Sequence, residues 1–137
     1  MTPVTLTISA ACLIDDAGRL LLVRKRNTQA FMLPGGKAEP GEDPLSALTR
    51  ELDEELNLSL PANALRPLGQ FRAAAANEAD TWIEASVFQA RLGHSVSAAA
   101  ELEELRWLAP GDVLPDTLAP LLREHVLPLL WPMVQSP

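Results

Sequence analysis

From Val4 to Ile14 the chain alternates between apolar and polar positions. Val4, Leu6, Ile8, Ala10, Cys12 and Ile14 fall on one face, and Thr5, Thr7 and Ser9 on the other. A period of two predicts a strand with one face on a core. Asp15-Asp16-Ala17-Gly18 supplies turn residues, and residues 20–24 return as a second strand, so the opening of the chain reads as a hairpin. Phe31-Met32-Leu33 is a short extended piece that runs into Pro34-Gly35-Gly36. The period then changes to 3.6, with Leu45, Leu48, Leu52 and Leu56 on one helical face. Asp43 is placed to cap that helix, Pro44 suits its first position, and Asn57 suits a left-handed residue at its end. Residues 65–73 and 81–90 read as strands joined by an Ala-rich loop, and residues 105–108 as a further strand. Residues 117–127 read as a second helix, limited by Pro128. Strands on both sides of an early helix, with a late helix closing the chain, predict an α+β fold: a mixed β-sheet covered by helices on its faces.

The 137 residues are 47% apolar, which fits one domain with a single core over 1–137. No apolar run reaches the length of a membrane span. The start, MTPVTLTISA, lacks the basic stretch and cleavage pattern of a secretory leader, so a cytoplasmic protein with no membrane partner is expected. Cys12 is the one cysteine, so no internal disulfide forms, and its apolar setting predicts a buried, inert thiol. The formal net charge of −7 argues against a nucleic-acid polymer as partner, which needs a basic stripe. It leaves room for a small phosphorylated substrate, because a divalent metal reconciles an anionic site with an anionic ligand.

The early helix carries a second pattern. Glu51, Glu54 and Glu55 stand at i, i+3 and i+4, next to Arg50. Carboxylates this close repel one another unless a cation sits among them. Mg²⁺ takes oxygen ligands, keeps waters and shares its other positions with phosphates, and this spacing presents oxygens to one or more such ions. Arg50 is one turn before Glu54 and can hold its rotamer, while the glycines ahead of the helix let backbone approach the site closely. A solvated acidic face is the ordinary explanation of such a run. It does not explain why a glycine and a further glutamate stand at fixed distances upstream.

Those distances are Gly36, five residues, Glu42, seven residues, then Arg50-Glu51-Leu52-Asp53-Glu54-Glu55-Leu56-Asn57-Leu58. The pattern resembles the Nudix box, G-x5-E-x7-R-E-U-x-E-E-x-G-U with U a bulky aliphatic residue, over residues 36–58. Asn57 replaces the last glycine. At ordinary residue usage, six fixed positions agree by chance on the order of once in ten million registers. The resemblance implies the Nudix fold, an α/β/α arrangement, and hydrolysis of a nucleoside diphosphate linked to another group. It implies Mg²⁺ (or Mn²⁺) held by the Gly36 carbonyl, Glu51, Glu54 and Glu55. Glu101, six residues before Trp107, matches an additional metal-binding glutamate of MutT-like members, with Glu103 and Glu104 as rivals. Glu51, Glu54 and Glu101 are the candidates for the general base, and Arg50 supports Glu54. Glu42 helps to position the ligands from across the loop.

Signatures of other subfamilies are missing. Ala73-Ala74-Ala75-Ala76 stands where ADP-ribose hydrolases tend to carry a proline, and the chain has no tyrosine where diadenosine polyphosphate hydrolases use one. The SQPWPFPxS signature of NADH hydrolases is absent. A MutT-like enzyme acting on a nucleoside triphosphate is therefore expected, with ADP-ribose or nucleotide-sugar hydrolysis as the alternative. A non-catalytic nucleotide sensor would commonly have lost box glutamates, and here all are kept. Asp116-Thr117 replaces the asparagine of guanine-reading members, which weakens an oxidised-guanine specificity. Candidate substrate contacts are Arg24 and Lys25 at the end of the second strand, Phe31, Gly35 and Lys37 around the loop, and Arg72 and Asn77 beside the Ala-rich segment. Trp82 and Trp107 read as core, and His94 and His125 lack metal-ligand spacing. Family members often dimerise, so a homodimer is an expectation.

Overall fold

A computed structural model describes residues 3–93 and 95–131. Strand β1 (Val4–Ile14) turns through Asp15 into β2 (Leu20–Lys25). Asp15 Oδ1 accepts from the N–H groups of Ala17 and Arg19, which closes the turn. The ladder between β1 and β2 is confined to the hairpin end, at Ile14–Leu20. Beyond it the following segment enters a wedge between the two strands. Met32 bridges Val23 of β2, and β3 (Gly35–Lys37) pairs with Ile8, Ser9 and Ala10 of β1. On its other edge β1 runs parallel to β5 (Thr81–Arg91) along its whole length. β4 (Arg66–Ala74) is antiparallel to β5, and β6 (Leu102–Leu108) is antiparallel to β2. The order β4-β5-β1-β2-β6 is thus a mixed sheet, with β3 inserted against β1.

Both faces are covered. Helix α1 (Pro44–Leu56) packs Leu48, Leu52 and Leu56 against Ala11, Leu13, Leu21 and Val23. The C-terminal helix packs Leu121, Leu122, Val126 and Leu127 against Ala10, Cys12, Leu20 and Leu22. The one-sided alternation of β1 holds for its first half only, because Ser9 to Leu13 are all buried between the two layers. Cys12 is fully buried, and burial pushes its thiol up to about 12. Leu48, Leu52 and Leu56 are fully buried as well, each worth roughly 1.5–3 kcal/mol of transfer free energy.

Asp43 caps α1 by accepting from the Ser46 N–H at 2.7 Å. At the other end Asn57 takes φ 53° and ψ 37°. Its N–H donates to the Asp53 carbonyl, the αL closure usually made with glycine, and the Leu58 N–H donates to the Leu52 carbonyl.

The late helix differs from the sequence reading at both ends. Residues 117–119 are extended: Phe31 N–H donates to the Thr117 carbonyl and Ala119 N–H to the Phe31 carbonyl. Helix begins only at Pro120, whose ring suits a first turn. Nor does Pro128 stop it. A π-helical stretch (Leu121–Val126) runs directly into the α-helical turn α2 (Leu127–Leu130). The Leu127 N–H reaches back five residues to the Leu122 carbonyl. The wider turn accommodates a proline that supplies no N–H of its own.

Trp82 also departs from the expected core position: it is 40% exposed, with the Arg72 guanidinium 5.4 Å over its ring. Trp107 packs partly buried on the α1 side. His125 stacks on Phe71 at 5.6 Å between ring centroids, and His94 lies outside the described residues. No described helix is long and apolar enough to cross a membrane.

Candidate active site

Helical spacing sorts α1 into rows. Leu48, Leu52 and Leu56 go to the core. One row round, Glu51 and Glu55 face the glycine loop, and beyond them Arg50 and Glu54 form the outer row. The apolar row clamps the helix, so the acidic row is held at a fixed distance from β3.

The loop is built to receive it. Gly35 sits at φ +147°, and a Cβ there would lie 2.8 Å from Ala10 Cα and strike the Ser9 carbonyl. Only glycine permits β3 to press this closely on β1. A Cβ on Gly36 would occupy the place of the Glu51 carboxylate, so that side chain rests directly on the Gly36 backbone. The Gly35 N–H donates to Glu55 Oε1 at 3.1 Å. Glu55 is only 4% exposed. Burial pushes its carboxyl up to about 7, against the opposing Gly35 hydrogen bond and with added repulsion from Glu51. Burial raises Glu51 too, with Arg50 opposing and Glu54 adding to the rise.

Arg50 organises the outer row. Its Nε and Nη2 donate to the two oxygens of Glu42 at 2.7 and 2.8 Å, a bidentate pair. Nη1 donates to Glu54 at 3.2 Å, and Nη2 to the Lys37 carbonyl at 3.1 Å. Glu51 Oε1 is 3.6 Å from Nη1. The guanidinium holds the Glu42 carboxyl down at about 2, helped by the Glu39 N–H. Glu42, the helix and the loop are therefore tied through one side chain.

The site opens into a cleft of about 540 Å³. Of the residues singled out from the sequence, Lys25, Gly35, Gly36, Lys37, Arg50, Glu51, Asn77 and Glu101 line it. Lys25 Nζ lies 3.8 Å from Glu101 Oε1, so the β2 end and the segment before β6 meet at the rim. Glu54 and Glu55 flank this group through Arg50 and Gly35. Three candidates lie elsewhere. Arg24 is drawn to Glu104 and the Thr28 carbonyl. Phe31 is buried in the core beneath the Arg106 guanidinium. Arg72 falls on the opposite sheet face from its buried neighbour Ala73, as strand alternation requires. Glu104 is paired with Arg24, which leaves Glu101 as the acidic residue of that segment in the cleft. The sequence reading did not single out Leu6, Ile8, Ile83, Leu121 and Leu122, which form the apolar wall. Their apolar character signals core, and only the register that sets Leu6 beside Ile83 shows them reaching the cleft.

Residues 5–130 match the NUDIX domain family. The chain belongs to the Nudix family. A MutT Nudix hydrolase from Burkholderia pseudomallei has the same fold, with a TM-score of 0.69 and 26% identity over 83% of this chain and 89% of that one. A Bacillus subtilis (strain 168) protein provisionally named 8-oxo-dGTP diphosphatase is 24% identical over 98 residues, 72% of this chain and 62% of its own length. An RNA pyrophosphohydrolase of Pseudomonas putida is 46% identical over 46 residues, 34% of this chain and 29% of its own length. The match thus spans less than two thirds of either curated relative. The MutT-like reading of the box and the α+β architecture both hold.

Nudix hydrolases generally use divalent metal ions, and the donors of this Nudix protein suit one. Three carboxylates on neighbouring turns and the loop carbonyls offer oxygen only, as hard cations require. Glu51 and Glu55 are both disfavoured as anions by burial, a penalty that a nearby dication removes. Among the described residues no three acidic side chains converge on one point. Arg50 engages Glu54 while the Gly35 N–H holds Glu55.

Proposed function

We propose that this Nudix protein is a metal-dependent pyrophosphohydrolase that converts a nucleoside triphosphate to a nucleoside monophosphate and pyrophosphate. The observation that carries this reading is the seating of Glu51 and Glu55 on the Gly35–Gly36 backbone at one end of a nucleotide-sized cleft. In it the Gly36 carbonyl, Glu51, Glu54, Glu55 and Glu101 would hold Mg²⁺ or Mn²⁺. The ion, when bound, neutralises the diphosphate and lowers the pKa of a water.

The chain's own residues do the remaining work. Lys25 and Lys37 meet phosphate oxygens at the rim. Arg50 is a positioning residue that fixes Glu54 against the loop through Glu42. Glu51, which lines the cleft where Glu55 does not, takes a proton from the attacking water. Glu101, across the cleft beside Lys25, is its rival. The water oxygen bonds to phosphorus, the bridging P–O bond breaks, and pyrophosphate departs.

The 46-residue likeness to RNA pyrophosphohydrolases supports a second reading, cleavage of the same bond at the triphosphate end of an RNA. The net charge of −7 opposes it. A panel of nucleoside triphosphates, ADP-ribose, nucleotide sugars and triphosphate-ended RNA, run with Mg²⁺ or Mn²⁺ and read by nucleotide chromatography, separates the readings. Glu54→Gln and Glu55→Gln each lower turnover at least about tenfold with the fold intact. Full activity in both removes the metal assignment, and binding without turnover across the panel favours a sensor.

A further inference from the structure

We infer that the cleft distinguishes the base of its substrate by size and not by its hydrogen-bonding edge, so that adenine and guanine nucleotides serve almost equally. The inference rests on the pyrophosphohydrolase reading and deepens it.

The cleft is divided by chemistry. Lys25, Lys37, Arg50, Glu51 and Glu101 gather around the glycine loop, where phosphates belong. Away from the loop, the large side chains contributed by β1, β5 and the π-helical stretch are Leu6, Ile8, Ile83, Leu121 and Leu122, and the alanines at 74–76 complete that wall. All five are aliphatic, and none of the described lining residues is aromatic. Two uncharged polar side chains border the space. Ser9 pairs with Gly36 in the β1–β3 ladder and so belongs to the phosphate end. Asn77 sits exposed in the loop after β4, beside exposed Glu78.

Base identity is read strongly only by buried, fixed donors and acceptors. A site that hydrogen-bonds its substrate rejects the wrong partner by about 10⁴–10⁵, whereas an apolar pocket discriminates by roughly 10–200-fold per methylene of misfit. Adenine and guanine share one ring frame and differ in their edge groups. Purine and pyrimidine differ by a ring. An aliphatic wall bordered by an amide and a carboxylate that are both solvent-exposed, Asn77 and Glu78, therefore separates the second pair and not the first.

The test compares kcat/KM for dATP, dGTP, dCTP and dTTP with Mg²⁺. Independently of turnover, it compares equilibrium binding of their α,β-methylene analogues. The expected result is adenine and guanine within about tenfold of each other, with a larger gap between purines and pyrimidines. Asn77→Ala leaves the adenine-to-guanine ratio unchanged. Ile83→Phe and, as a second filling variant, Leu6→Phe raise KM while kcat stays. A ratio above about 100-fold between adenine and guanine, in turnover or in binding, overturns the inference, as does a tenfold change of that ratio in Asn77→Ala. Failure of all four analogues to bind overturns it too. Analogue binding in the expected pattern without cleavage of any triphosphate sustains the cleft inference and defeats the proposed reaction.

Discussion

Glu55→Gln should stabilise the metal-free protein while it damages the site. Glu55 is 4% exposed, and its carboxyl is raised from 4.5 to about 7, first by burial and then by Glu51. A carboxyl whose folded pKa lies above its unfolded one adds stability that is fully present below about pH 4.5 and is lost as pH rises to about 7. At pH 8 the ionised, buried side chain thus costs about 3 kcal/mol at most, from 1.36 kcal/mol per pKa unit. Gln keeps the oxygen that accepts from the Gly35 N–H and removes the charge. In EDTA at pH 8 the variant should melt about 10 °C above the wild type, and at pH 4.5 the two should coincide within a few degrees. Unfolding in urea, followed by tryptophan fluorescence at both pH values, gives the free energies. Adding Mg²⁺ at pH 8 should then raise the wild type and leave the variant nearly unmoved. A variant equally destabilised at both pH values would refute the argument, because the loss would then be one of packing and not of charge.

Two further changes probe the loop and the helix end. Gly35→Ala forces a Cβ against Ser9 and Ala10, so β3 must part from β1; chemical denaturation should show a loss of about 3 kcal/mol or more, with activity lost alongside. Asn57→Gly restores the residue usual in the box at a position already left-handed; stability should change by less than about 1 kcal/mol and turnover not at all, measured on the same preparations.

Much of α1 was legible before any coordinates, because its signals are local. Asp43, Pro44, the leucine row and Asn57 each act within a turn of their own position, and the fold sets them as the spacing requires. The inserted β3 was not legible. Gly35-Gly36-Lys37 has no periodicity, and it is a strand only because β1 and β2 separate and leave an edge to pair with. The late helix misled for a similar reason. Residues 117–119 are drawn into extended pairing by the free edge of Phe31, and Pro128 is absorbed by a π turn that no local propensity announces. At the site, the rows on α1 followed from helical spacing alone. Which of Arg24 or Lys25 reached the cleft did not, because an irregularity in the β2–β6 pairing falls between them and alternation cannot be carried across it.

The charge pattern on α1 bears on the chemistry of the site. Arg50 holds Glu42, ahead of the helix, at about 2, yet the inner row of Glu51 and Glu55 is raised by burial beyond what Arg50, Lys25 and the Gly35 N–H offset. A helix locked by three fully buried leucines cannot turn those carboxylates out to water without losing several kcal/mol of packing. The protein therefore carries a local excess of negative charge that its own residues only partly relieve, at the end of the cleft where the proposed reaction puts an anionic phosphate. Lys25 offsets part of the rise in both Glu51 and Glu55, but burial outweighs it. Under the proposed function, a divalent cation would answer both the carboxylates and the phosphate. Its binding should accordingly precede or accompany that of the substrate.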